Sequence, residues 1–323
     1  MRRNLMWLGL CLLVTVSSAQ VNQSKVSEFA RSYAERHDMT IAELTVILNN
    51  AEYQQSTVDK ISRPAEGTMT WGRYRNIFLQ DNRIQAGVEF WKTHEEVLVN
   101  VSEDSGVPEE IILGILGVET FFGQRIGDYR VLDALYTLAF GYPKRSSFFT
   151  AELEKFLELT EKEGLDLYSI KGSYAGAIGY CQFMPSSYLA YAKSYGEGDG
   201  CNLMEPEDAI ASAANYLREH RWETGGPIAA RVAQRINPKD VVSSSSRPRN
   251  TLRYYADNGY MPSGNIAPAR KAALLELEGE EGMEYWFGFH NFYVITRYNH
   301  SALYAMAVFQ LAEAIKEARE RDL

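Results

Sequence analysis

The sequence is short of positive charge, of cysteine and of long apolar runs. Lysine and arginine number 33 against 42 acidic residues, a formal charge of −9. A phosphate backbone wants a basic footprint, so this balance argues against nucleic acid as the main partner. The five histidines, at 37, 94, 220, 290 and 300, show no paired ligand spacing, which argues against a zinc site. There is no internal repeat and no extended low-complexity tract.

The only long apolar run, Leu5 to Val16, follows Arg2 and Arg3 and precedes Ser17-Ser18-Ala19. That is the pattern of a secretory signal cleaved before Gln20. The run is short for a membrane span, and no other stretch could cross one. Cys11 raises the question of a lipid anchor. Leu10 precedes it where a small residue would be expected, and the apolar run continues past it, so the reading is an unanchored periplasmic protein. Cleavage leaves 31 basic side chains against 42 acidic ones, about −11, and two cysteines. In an oxidising compartment Cys181 and Cys201 either form a disulfide or stand as unrelated thiols.

What is present is an ordinary globular composition, 46% apolar and 23% charged, in a chain long enough for one large domain or two smaller ones. Phe29, Tyr33, Ile41, Leu44 and Leu48 recur at helical spacing. Arg83 to Asp104 reads as one long amphipathic helix. Pro108, followed by two acids, opens another. Residues 132–140, 148–160 and 207–220 continue the helical texture, and 301–318 reads as a closing helix. Between them the texture changes. SSSSRPRN (243–250) is a polar loop, and 272–278, 285–289 and 291–297 read as short strands. The expected fold is mainly α with a small antiparallel β insert. Its divisions are a leader (1–19), an N-terminal helical region (20–105), a core (106–220), a β-containing insert (221–297) and a closing helix (298–323).

GILGVETFFG (114–123) sets one carboxylate inside an apolar run. Ile112, Ile115 and Leu116 precede Glu119 by seven, four and three residues, so the acid shares the core-facing side of its helix near the end. Apolar burial raises a carboxylic pKa, which suits a general acid. Gly123 lets the chain turn away. KGSYAGAIGYCQFMPSSY (171–188) alternates glycine with small and aromatic residues. It lacks the Gly-Lys-Ser/Thr of a phosphate loop, and Ser173 and Gln182 offer neutral groups of the kind sugars need. ITRYNHSALYAM (295–306) groups Tyr298, Asn299 and Tyr304, aromatic faces and an amide suited to stacking on and orienting a sugar.

Together with GYPKRSSFF, DAIASAANYL and NFYVITRYNHSALYAM, these strings resemble the membrane-bound lytic transglycosylase B family, from about Trp71 to Gln310. The resemblance implies a lysozyme-like catalytic core with an added helical domain, acting on peptidoglycan glycan strands. It implies that Glu119 is the single catalytic acid and then base. Tyr74, Ser173, Gln182, Tyr216, Tyr298, Asn299 and Tyr304 match cleft residues. Lys144 and Arg145 fall where the family often has two arginines, and a lysine there loses the bidentate fork. The implied reaction protonates the glycosidic oxygen between MurNAc and GlcNAc. The MurNAc C6 hydroxyl then closes a 1,6-anhydro ring with help from the N-acetyl group. An intramolecular nucleophile takes the place of a second activated group.

The resemblance requires no cofactor for this chemistry, although members of that family can carry an EF-hand-like calcium loop before DAIASAANYL. Here the loop is degraded: Glu197, Asp199 and Asp208 survive as candidate ligands, but Tyr195 replaces the leading acid and the loop is one residue short, which argues against calcium. A Cys181–Cys201 disulfide could tie the loop down instead. Implied protein partners are the machinery of cell-wall synthesis. Two rival readings are a hydrolytic muramidase, with Asp133 the nearest second acid in sequence, and a murein-binding scaffold without catalysis.

Overall fold

The computed structural model describes residues 21–63, 69–196 and 200–322. The leader and Cys11 lie outside them, as do Glu197 and Asp199. Fourteen helices and seven short strands are described. Six helices form the N-terminal part: α1 (Gln23–Ala34), α2 (Ile41–Asn49), α3 (Gln55–Ile61), α4 (Trp71–Phe78), α5 (Asp81–Thr93) and α6 (Glu95–Ser105). Then follow α7 (Glu109–Thr120), β1 (Tyr129–Arg130), α8 (Val131–Gly141), α9 (Ser146–Lys162), β2 (Lys171–Gly172), α10 (Pro185–Tyr191) and α11 (Pro206–Glu219). The insert holds β3 (Ala229–Arg235), β4 (Asn250–Thr251), α12 (Leu252–Asp257), β5 (Tyr260–Pro262), β6 (Lys271–Glu278) and β7 (Met283–Gly288). The chain closes with α13 (His290–Tyr298) and α14 (Ala302–Asp322).

Helix α7 is the axis of the molecule. Residues 111–118 are all buried, which is what a helix apolar on every side must achieve. Its main neighbour is α14, with α5, α6 and α11 around it. Gly114 permits that contact: a Cβ there would lie 2.6 Å from the Val308 carbonyl oxygen of α14. The closing helix is therefore part of the catalytic core. One apolar cluster runs from Val21 to Ala318 and includes residues of α1, α2, α4, α5 and α6, with Ile61 of α3 packed against it. Among the described residues the N-terminal helical region is thus continuous with the core and has no hydrophobic centre of its own.

The insert is different. Its five-stranded antiparallel sheet has the order β4-β6-β7-β3-β5 and its own centre of Leu252, Tyr255, Tyr260, Leu274, Phe287 and Phe289. Strand β6 joins the two centres by its period of two: Ala273, Leu275 and Leu277 face the main core, while Ala272 and Leu274 face the small one.

Two expected elements are corrected. The long helix from Arg83 to Asp104 is two helices broken at His94, where the backbone turns to φ −115°, ψ 27° without glycine or proline to announce it. The helical spacing from Phe29 to Leu48 is realised as α1 and α2, the second restarted by a Thr40–Glu43 capping box. The strand expected at 291–297 is α13, and Phe292 and Ile295, three residues apart, share its buried face. The sheet therefore ends at Gly288, short of residue 297.

Candidate active site

Glu119 lies in the last turn of α7. It is the one residue between 111 and 120 that is not fully buried, so the helix delivers a carboxylate to an opening through an apolar wall. The chain then leaves abruptly. Phe121, Phe122 and Gly123 all have positive φ, at 53°, 55° and 84°. A Cβ on Gly123 would meet the Tyr180 ring at 2.1 Å, so only glycine fits there. Thr120 fastens the turn: its hydroxyl donates toward the Tyr180 carbonyl at 3.2 Å and accepts from the Gly123 amide at 3.0 Å.

The end of α7 carries partial negative charge, which disfavours an acid placed there. A donor from a distant part of the chain offsets it. Tyr304, in the first turn of α14, donates its hydroxyl to Glu119 Oε1 at 2.6 Å. Burial first, and the Glu119 charge second, push the Tyr304 phenol well above its ordinary range, so it stays a protonated donor. Tyr298 stacks on Tyr304, with ring centroids 6.3 Å apart and planes at 13°, and its hydroxyl donates to the Cys181 carbonyl at 2.7 Å. Burial also pushes the Tyr298 phenol well up. Tyr216 packs on Tyr298 at 4.7 Å and donates to the Arg297 carbonyl at 2.6 Å. Tyr74, buried on α4, lies within electrostatic reach of Tyr304.

The glycine-rich segment forms the adjoining wall. The Ser173 hydroxyl accepts from the amides of Ala175 and Ala177 at 3.3 and 3.0 Å. Gln182, at φ 49°, donates its side-chain amide to the carbonyls of Ile126 and Gly179, both at 2.9 Å. Both side chains shape the loop, and both are partly exposed. Asn299 follows α13 in extended backbone, one turn before Tyr304. Lys144 and Arg145 are exposed on the turn after α8, and Arg145 lies 4.3 Å over the Phe148 ring.

Arg83 was not singled out from sequence. It is 5% exposed, donates to the Gly117 carbonyl at 2.6 Å and lies 4.6 Å over the Phe121 ring, bracing the end of α7 from behind. Burial, with Arg125 nearby, lowers its pKa to about 10, so it stays charged at neutral pH. The signal was present: Arg83 sits on the same stripe of α5 as the buried Gly87 and Trp91.

This geometry has counterparts in known proteins. Residues 21–313 match the transglycosylase SLT domain family. The chain belongs to that family. It is 39% identical over 308 residues to membrane-bound lytic murein transglycosylase B of Escherichia coli (strain K12), covering 92% of this chain and 84% of that one. The crystal structure of the soluble lytic transglycosylase SltB1 from Pseudomonas aeruginosa superposes with a TM-score of 0.87 at 42% identity, over 92% of this chain and 99% of that one. The Escherichia coli lytic transglycosylase Slt35 in complex with bulgecin A gives 0.84 at 39% identity, over 91% and 93%. The mainly helical, lysozyme-like fold of this SLT transglycosylase is that of its relatives.

Other expected groups are engaged elsewhere. Asp133, the candidate second acid, is buried and bound: Oδ2 accepts from Arg130 Nε at 2.8 Å and Oδ1 from the Glu52 amide at 2.8 Å. It ties the N-terminal helices to α8. Replacing it with Asn is expected to lower stability by about 2 kcal/mol, as for a broken buried ion pair, and to leave the released products unchanged. Denaturant melts and product chromatography check both.

Of the three candidate calcium ligands only Asp208 lies among the described residues, and its two oxygens accept backbone amides, from Tyr195 at 2.9 Å and Asn202 at 2.7 Å. The Tyr195 hydroxyl accepts from Asn100 at 2.8 Å. Of the two readings of the cysteines, the structure has the free thiols. The Cys181 thiol donates to the Ala209 carbonyl at 3.1 Å, and Cys201 lies 3.6 Å from the Ser212 hydroxyl. Burial pushes the Cys181 thiol far up and that of Cys201 to about 11, so neither is a thiolate at neutral pH. A thiol reagent is expected to react slowly with the native protein and to find two thiols after denaturation without reductant. Finding none would mean that the pair is bonded.

Proposed function

We propose that this SLT transglycosylase cleaves the β-1,4 bond between MurNAc and GlcNAc in murein with Glu119 as its single acid and base, leaving 1,6-anhydroMurNAc ends. The observation that carries the reading is the Glu119–Tyr304 pair at the end of α7. A glycosidase that activates water needs a second carboxylate facing the first. Asp133 is committed to Arg130, and Glu119 is the one carboxylate prominent among the charges acting on both Tyr298 and Tyr304.

The protonated Glu119 gives its proton to the glycosidic oxygen as the bond breaks. The resulting carboxylate, held in place by the Tyr304 hydroxyl, then takes the proton of the C6 hydroxyl as that oxygen closes on C1. The N-acetyl group of the same sugar steadies the charge at C1 between the two steps. The two steps call on neither a metal nor a cofactor. The leader pattern supports a periplasmic site of action without a lipid anchor, and no described helix is long and apolar enough to cross a membrane. Cell-wall synthesis enzymes are natural partners for an activity that opens strands. Borohydride labelling of fragments released from sacculi tests the reaction: anhydro ends take no label, and labelled MurNAc ends would show hydrolysis.

A further inference from the structure

The polar loop SSSSRPRN takes no part in the chemistry above. It belongs to a region whose charge is opposite to that of the rest of the chain. Residues 221–273 hold nine basic side chains and three acidic ones, in a protein of formal charge −9. Several of the nine are already engaged. Arg270 pairs with Glu223 at 2.8 Å, and Arg235 lies 3.9 Å over the Tyr285 ring. Arg247 and Arg249 are exposed and form no ion pair or ring contact among the described residues.

The loop is pinned at both ends and open between them. The Ser243 amide donates to the Leu274 carbonyl at 2.9 Å, and the Arg249 amide to the Ala272 carbonyl at 3.2 Å. Between these anchors the serines form a wall shared by two concavities. One, of about 270 Å³, is lined by Asp240, Ser244, Arg247, Arg249 and Tyr254 among others. The other, of about 520 Å³, runs from the same serines to His300 and Ala302. Those two residues flank Ser301, whose hydroxyl accepts from the Tyr304 amide at 3.3 Å. The serine loop therefore lies between the turn that positions Tyr304 and the two guanidinium groups.

We propose that the Arg247–Arg249 pocket binds an acidic peptide, the carboxylate-bearing stem carried by the lactyl sugar of murein. The inference rests on the transglycosylase reading for its substrate. The glycan of that substrate is uncharged once its lactyl group is amide-linked, so murein's negative charge sits in its stems. A protein of net negative charge is repelled by those stems everywhere except where its local charge reverses. Guanidinium forks suit carboxylates, and the serine hydroxyls suit peptide carbonyls. Asp240 in the same pocket disfavours a dense polyanion and suits an amino group on the peptide.

The test uses the full chain with Glu119→Gln, so that murein is bound without being cut. Affinity is measured on peptide-bearing murein and on glycan chains stripped of peptide by an amidase, with and without Arg247→Ala/Arg249→Ala. The double change is expected to weaken binding to peptide-bearing murein about tenfold, as two exposed charge-assisted contacts would. Binding to stripped glycan stays the same. The difference narrows with added salt, and Arg247→Lys/Arg249→Lys restores most of it. Equal affinity in all cases, or equal loss on both substrates, overturns the proposal. So does loss of binding to vesicles of anionic phospholipid with peptide-bearing murein unaffected, which would assign the pocket to a membrane surface. Cleavage that persists with Glu119→Gln counts against the catalytic reading instead and leaves the peptide comparison standing.

Discussion

Replacing Glu119 with Gln is expected to lower the rate of fragment release from sacculi by at least about a thousandfold, since one group supplies both the acid and the base. Binding to sacculi should persist. The amide oxygen of Gln can still accept from Tyr304, so the thermal midpoint should shift by no more than about 2 °C. These two readouts separate chemistry from folding. The carboxylate is the partly open residue in the otherwise buried stretch 111–120 of α7, and the packing of α7 on α14 does not depend on its charge. A variant that kept a tenth of the wild-type rate would show that Glu119 is not the proton donor.

Replacing Tyr304 with Phe is the second large effect. The phenol is 2% exposed and gives the hydrogen bond that fixes Glu119 Oε1. Phe fills the same space and keeps the stack on Tyr298. What is lost is one hydrogen bond to a charged group, worth about 1.5–3 kcal/mol. If that bond acts in the transition state, kcat falls about 10- to 100-fold. KM should hardly move, because Tyr304 acts through Glu119 and not on the sugar. Steady-state kinetics on a soluble glycan checks the split. A fall confined to KM would make Tyr304 a sugar contact, and a fall in stability alone would make it a packing residue.

The place of Glu119 near the end of a buried helix was legible because its signal is local. The apolar residues three, four and seven before it fix the face, and Gly123 marks the exit of the chain. Tyr304 was different. It stands 185 residues away, and no periodicity joins it to Glu119; the sequence offered it within an aromatic and amide group suited to a sugar, and the packing of α14 on α7 brings its hydroxyl to the carboxylate. The break at His94 was illegible because no glycine or proline marks it. NFYVITR deceived because a short run rich in β-branched and aromatic residues fits strand and helix alike. Strand β3, AARVAQR, was missed because its exposure follows no clean alternation; a register shift between Val232 and Gln234 disturbs it. The continuity of the N-terminal helices with the core was equally hidden. It rests on contacts such as the Glu52 amide with Asp133, which join residues 81 apart.

Asp208 was legible as an oxygen donor and not as a link between backbone segments: its oxygens hold the amides of Tyr195 and Asn202, which ligand spacing does not announce.

The most direct test of the single-carboxylate account is mass spectrometry of the soluble fragments that the wild-type protein releases from purified sacculi. The account predicts muropeptides lighter by one water than their hydrolytic counterparts, each ending in 1,6-anhydroMurNAc. Fragments of full hydrated mass, with reducing MurNAc ends, would contradict it and require a second acid beside Glu119.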